Sequence, residues 1–168
     1  ADVRQAHGLL DDRVRGRAGK RTDFRSRRDY VLGHALLRVI LSRMQSAMAE
    51  ATRPSEWRFR IGPCGKPEPE QTPFPEPLRV SLSHADGLVA VAVGLTGPLG
   101  VDVEALQRPA LGLKLAQRFF RPSELAGILA APGPVMQRRA LLEVWVAKEA
   151  YAKATGLGLA RTLGTAVV

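Results

Sequence analysis

An α+β fold is predicted by three features of the 168-residue sequence. Two long segments have helical character, one from Thr22 or Ser26 to about Ala51 and one from about Val135 to Thr155. Short apolar or alternating runs of strand length lie between them, at Trp57 to Ile61, Leu78 to Leu82, Leu88 to Leu95 and Leu99 to Ala105. The pair Asp86-Gly87 stands between two of these runs and favours a tight hairpin. Both halves of the chain share a coarse helix-and-strand grammar, which points to pseudo-duplication.

Composition narrows the class. With 45% hydrophobic and 24% charged residues, the chain can bury a core and is not of the disordered type. Aromatics are only 5%, so that core must be mainly aliphatic. The single cysteine, Cys64, excludes an intrachain disulfide and fits a reducing compartment; it reads as a loop or packing residue. The longest apolar run, near Leu88 to Leu95, is too short to span a bilayer, and no leader pattern is visible, so a cytoplasmic location is expected. The net charge is +9, and residues 13–28 hold eight basic side chains against one acid, Asp23. Such a field attracts polyanions, whether nucleic acid, phosphorylated metabolite or acidic protein, and it equally describes a solvated basic face.

The elements follow in order. Residues 1–21 are polar and basic, with Ala6 to Leu10 as a short helix. In the first long helix Val31, Leu32, Ala35, Leu36, Val39, Ile40 and Met44 form the apolar stripe, leaving Arg28, Arg38 and Arg43 to display their guanidinium groups. His34 on this helix and His7 before it read as packing or surface residues. Trp57, Phe59 and Ile61 alternate with Arg58 and Arg60, giving a half-buried strand. Six prolines between positions 63 and 77 make a stiff, extended loop that carries Lys66. Ser83 and His84 fall at the end of a strand beside the Asp86-Gly87 turn, where an imidazole can carry a proton or meet an anion.

On a strand from Leu99 to Ala105, Asp102 and Glu104 share one face. Adjacent carboxylates repel unless cations neutralise them, and they can converge on a hard ion such as Mg²⁺. A helix over Leu111 to Phe120, with Phe119 and Phe120 buried, and a shorter one from Pro122 precede the second long helix. That helix should bury Leu141, Leu142, Val144, Trp145 and Tyr151 and stop at Gly156 in a left-handed cap. Trp145, Glu149 and Lys153 stand at i, i+4 and i+8 in one row. An acid followed one turn later by a lysine is common on solvated faces, so its meaning rests on the acidic pair upstream.

Five motifs occur in order: Gly65-Lys66-Pro67, Leu82-Ser83-His84, Gly100-Val101-Asp102-Val103-Glu104, Arg118-Phe119-Phe120-x-x-x-Glu124, and Trp145-x-x-Lys148-Glu149-Ala150-x-x-Lys153-x-x-Gly156-x-Gly158-Leu159. Together, over about residues 9–159, they resemble the 4′-phosphopantetheinyl transferase superfamily, in its longer surfactin-synthetase-activating type. The resemblance implies two pseudo-symmetric halves, each a long helix on a small antiparallel sheet, split as residues 1–97 and 98–168, with coenzyme A in the cleft between them. It implies Mg²⁺-dependent transfer of the phosphopantetheine arm of coenzyme A to a serine of an acyl or peptidyl carrier protein, releasing 3′,5′-ADP. That reaction serves fatty-acid, polyketide or nonribosomal-peptide synthesis.

By the same resemblance, Asp102, Glu104 and Glu149 look like metal-binding carboxylates, with Mn²⁺ as an alternative ion. Glu149 looks like the general base and Lys153 the group that neutralises or protonates the departing phosphate. Lys66, Ser83, His84, Arg28 and Lys148 look like coenzyme A contacts, with Arg27 beside Arg28. Val146 stands where the family usually has a small Ser or Thr. The family also carries a strand before the position of Leu9 and several after the long helix, so the second sheet is expected to be incomplete within 168 residues. A monomer without membrane contact is expected. Two other classes fit parts of the sequence. A basic nucleic-acid-binding domain explains the charge but sets three acids against phosphate, and a non-catalytic carrier-protein-binding relative would not require those acids.

Overall fold

The computed structural model of the chain describes residues 2–47, 52–62, 65–70, 72, 74–107 and 112–164. The architecture is α+β, as predicted. Helices α1 (Val3–Gly8), α2 (Asp12–Gly19) and α3 (Phe24–Ser46) open the chain. Each has an aspartate N-cap whose carboxylate accepts a backbone N–H of the first turn: Asp2, Asp11 and Asp23. The short helix expected at Ala6 to Leu10 is α1, while α2 was missed because its buried residues are only Val14 and Ala18 in a run of arginines. The expected extension of α3 to Ala51 and the position of Cys64 lie outside the described residues.

Strands β1 (Phe59–Ile61) and β2 (Pro67–Pro69) form one antiparallel pair, and β3 (Arg79–Ala85) and β4 (Leu88–Gly94) form a second. β2 arises inside the proline-rich loop. Proline keeps its carbonyl but lacks the N–H, so this short strand pairs on one side only, with Arg60 opposite Glu68. The β3–β4 turn is the Asp86-Gly87 hairpin, with φ of 45° and 88° at its two central residues. A buried carboxylate fixes this turn, because Asp29 of α3 accepts from the Gly87 amide at 2.8 Å.

Helix α3 has two working faces. Val31 and Ala35 meet Ala6, Leu10, Val14 and Ala18 of the N-terminal helices. Leu37 and Leu41 pack with Trp57, Phe59, Phe74, Leu78 and Val80 over the strands. Leu36, expected inside, is 41% exposed. Arg38, expected outside, is fully buried because its guanidinium pairs with Asp11, donates to the His34 carbonyl and lies 4.8 Å from the Phe59 ring. Hydropathy alone put that arginine on the wrong side.

The second half holds α4 (Leu113–Phe119), α5 (Pro122–Ala130), α6 (Gly133–Thr155) and α7 (Leu159–Thr162). Gly156 ends α6 at φ 69°, the expected left-handed cap. Phe120, Ile128, Leu141, Leu142, Trp145 and Leu163 form its core, while Tyr151, expected in that core, is exposed. Among the described residues both sheets lie in the first half. No described helix is long and apolar enough to cross a membrane.

Residues 99–105 do not form the expected strand. They lie between β3 and α6 without regular structure, and side chains supply hydrogen bonds in place of a ladder. The Val101 amide donates to Ser81 Oγ at 3.1 Å, and the Leu99 carbonyl accepts from Lys66 Nζ at 2.8 Å. A Cβ on Gly100 would overlap the Ala150 carbonyl oxygen and stand 2.6 Å from the Ala154 nitrogen, so only glycine permits this approach to α6.

Lys148 is a second departure. Its side chain is completely buried in the second core, 2.9 Å from Glu124 and 2.9 Å from the Leu163 carbonyl, with the Phe120 ring 5.6 Å away. Glu124 Oε1 meets this ammonium as an ion contact without hydrogen-bond geometry, while Oε2 accepts from the Arg121 amide. Lys148 is therefore not a surface group, and its ammonium faces protein partners in the core.

Lys148→Met leaves the Glu124 charge buried and should cost about 3–5 kcal/mol in urea denaturation, most of it recovered in the Glu124→Leu/Lys148→Met double variant. Gly100→Ala should cost about 1–3 kcal/mol by overpacking against α6, visible as a lowered unfolding midpoint.

Candidate active site

The 23-residue helix α6 carries Glu149 and Lys153 one turn apart near its C-terminal end. Lys153 reaches across to the 99–102 segment. Its Nζ lies 2.6 Å from Asp102 Oδ1 and 3.0 Å from Ser83 Oγ, and Ser83 donates to the same carboxylate oxygen at 2.7 Å. Strand, connecting segment and helix thus meet at one buried carboxylate, whose side chain is only 6% exposed.

Asp102 Oδ2 is buried and, among the described residues, receives no hydrogen bond. An unpaired carboxylate oxygen out of water is costly unless a cation or donor arrives. Glu104 is half-buried two residues on, and both Glu104 and Glu149 are engaged with other groups. Among the described residues, no group of three or more His, Cys, Asp and Glu side chains stands together as a ready-made metal cage. Hard cations such as Mg²⁺ can take one or two protein carboxylates plus phosphate and water oxygens, and Asp102 Oδ2 fits that donor chemistry.

Beside this junction lies a cleft of about 280 Å³ lined by Gly65, Lys66, Ser81, Leu82, Glu149 and Lys153, among others. Lys66, which the family resemblance marks as a coenzyme A contact, donates to two carbonyls, Leu99 and Lys153, each at 2.8 Å. Burial lowers its pKa, with the Arg79 charge adding and Glu68 opposing.

His84 follows Ser83 on β3, and its neighbours differ from those of Ser83. Its ring stands edge-on to Tyr30 at 6.3 Å. Burial first, and then Arg21, push its pKa below the ordinary histidine value, against the pull of Asp29. Tyr30 also carries Arg21 over its ring at 4.4 Å and His34 at 4.4 Å. Around them Arg17, Lys20, Arg21, Tyr30 and His34 line a groove of about 360 Å³. Sequence had marked the basic run but not these three cations as the ones that line a groove. Only the fold of α2 against α3 selects them.

Arg28 is set differently. It pairs with Asp29 Oδ1 at 3.0 Å beside the hairpin turn, while Arg27 donates to the Arg21 carbonyl. The structure thus brings Lys66, Glu149 and Lys153 to one cleft, bonds Ser83 and Asp102 to Lys153 beside it, sets His84 near the basic groove, keeps Arg28 at the hairpin, and withdraws Lys148 into the core.

His34 is 7% exposed, and burial lowers its pKa to about 3, with Arg38 adding to the shift. The unfolded chain then binds a proton that the folded chain refuses. Stability tied to His34 is full above the unfolded value near 6.5 and is lost as pH falls toward 3. Replacing His34 with Phe should flatten the acid slope of urea stability in that window by up to about 1.4 kcal/mol per pH unit.

Comparison with known proteins places these motifs. Residues 98–168 match the sequence model of the 4′-phosphopantetheinyl transferase superfamily. The chain is 35% identical over 136 residues to the 4′-phosphopantetheinyl transferase HetI of a Nostoc species, covering 80% of this chain and 54% of that protein. It is 30% identical over 135 residues to the 4′-phosphopantetheinyl transferase psf-1 of Bacillus pumilus, covering 80% and 53%. A Bacillus subtilis 4′-phosphopantetheinyl transferase is 29% identical over 124 residues, covering 74% and 52%. The chain spans about half the length of the curated relatives it matches. With motifs from both halves present and Asp102, Glu149 and Lys153 inside the matched segment, the chain belongs to the 4′-phosphopantetheinyl transferase superfamily.

Proposed function

We propose that the protein transfers the 4′-phosphopantetheine arm of coenzyme A to a serine hydroxyl of an apo acyl or peptidyl carrier protein. The observation that carries this reading is the buried Asp102, bonded through one oxygen to Ser83 and Lys153 and, among the described residues, without a hydrogen bond at the other, beside a cleft lined by Glu149. In the reaction a serine Oγ–P bond forms at one phosphorus of the pyrophosphate, the P–O bond to the nucleotide breaks, and 3′,5′-ADP leaves.

The residues divide the work. Glu149 accepts the serine proton as general base, directly or through one water. Lys153 offsets the charge that grows on the departing phosphate, and its ion pair with Asp102 holds the ammonium in place beforehand. Arg17, Lys20 and Arg21 supply the positive field for the nucleotide phosphates, and His84 nearby, whose charged form burial disfavours, offers a ring N–H donor. Asp102, with Glu104 and Glu149 in support, would hold Mg²⁺, or Mn²⁺, which would supply positive charge to the pyrophosphate oxygens. The basic first half also suits an acidic carrier surface.

Intact mass of an apo carrier protein, after incubation with this chain, coenzyme A and Mg²⁺, tests the reading. A gain of one phosphopantetheine on the carrier serine, lost with EDTA and reduced about a hundredfold or more in Glu149→Gln, is the expected result. Carrier binding without any mass gain in wild type would instead support a non-catalytic carrier-binding relative.

A further inference from the structure

Lys66 is held in an unusual way for a loop lysine. Its ammonium has three donors, and two go to main-chain carbonyls 33 and 87 residues away, Leu99 and Lys153, both at 2.8 Å. Leu99 begins the segment that carries Asp102. Lys153 lies in the last turn of α6, where carbonyls run out of helical partners and the helix end carries partial negative charge. The lysine therefore sits between the two backbones that bear the two halves of the Asp102–Lys153 ion pair. Gly100 lets these backbones approach but cannot hold them there, and the segment has no ladder of its own.

We propose that Lys66 is a positioning residue, whose ammonium staples the Leu99 and Lys153 carbonyls and so sets the height of Asp102 over helix α6. This rests on the transfer reading given above for its kinetic consequence, though not for its structural one. A lysine that served as a nucleotide contact would offer its donors to the ligand. Here most of them are spent on main chain, and the chemistry acts through Asp102 and Lys153.

The two roles separate kinetically. If Lys66 positions Asp102, Lys66→Met should lower kcat about tenfold to a hundredfold, because small misplacements at a reacting centre carry penalties of that size. KM for coenzyme A should then stay within about threefold. Lys66→Gln keeps an amide group with two N–H donors on a shorter side chain and should fall between wild type and Met, giving a second variant should Met fold poorly. Independently of activity, hydrogen exchange at the Val101 amide, which donates to Ser81 Oγ, should quicken about tenfold or more in both variants. A tenfold rise in KM with kcat retained would make Lys66 a coenzyme A contact and overturn the proposal. Unchanged Val101 protection would overturn it as well. If the wild-type chain shows no transfer at all, the transfer reading fails and the exchange measurement decides Lys66 alone.

Discussion

How closely residues 99–102 can lie against α6 governs the rest of the site. Gly100 has no side chain to hold the two backbones apart, and any Cβ there would collide with the helix at Ala150. The segment lies on the helix without a backbone ladder to β3, and single side chains supply its bonds. Ser81 takes the Val101 amide, Ser83 takes the Asp102 carboxylate, and Lys66 takes the Leu99 carbonyl. The result is a buried carboxylate carried by a non-repetitive segment and held at one oxygen by Ser83 and Lys153.

Two lysines of α6 show how one helix serves both stability and chemistry. Lys148 and Lys153 are five residues apart, which places them about 140° apart around the axis. Lys148 turns into the second core and pairs with Glu124 under the Phe120 ring. Lys153 turns to the cleft and keeps 30% of its side chain exposed beside Asp102. The first pair is closed, with the Leu163 carbonyl completing it. The second leaves Asp102 Oδ2 with no hydrogen-bond partner among the described residues, which is a debt that stability alone does not explain.

The basic first half has a comparable division. Arg38 is spent inside, joining the Asp11 cap of α2 to α3. That buried link sets how α2 lies on α3, and so which of the many arginines look into a groove. Arg17, Lys20 and Arg21 do, beside Tyr30 and His34, whereas Arg27 and Arg28 are drawn to a carbonyl and to Asp29. Charge density along the sequence marks a region, while packing chooses the members.

Much of this protein was legible from its residues. Helical periodicity located α3 and α6, the Asp86-Gly87 pair located the hairpin, Gly156 located the end of α6, and the ordered motifs named the family. These are local signals, set by backbone sterics and by spacing along a single element. The buried states of Arg38 and Lys148, the strand made from prolines, the loss of a strand at residues 99–105 and the engagement of Lys66 were not legible. Each depends on a partner distant along the chain: Asp11, Glu124, β1, the α6 backbone, or two carbonyls at once. The sequence determined which elements form and which chemistry-bearing residues are available. Only the tertiary structure decided which charges are paired inside and which face the cleft, because burial and pairing are set by neighbours that no local pattern specifies.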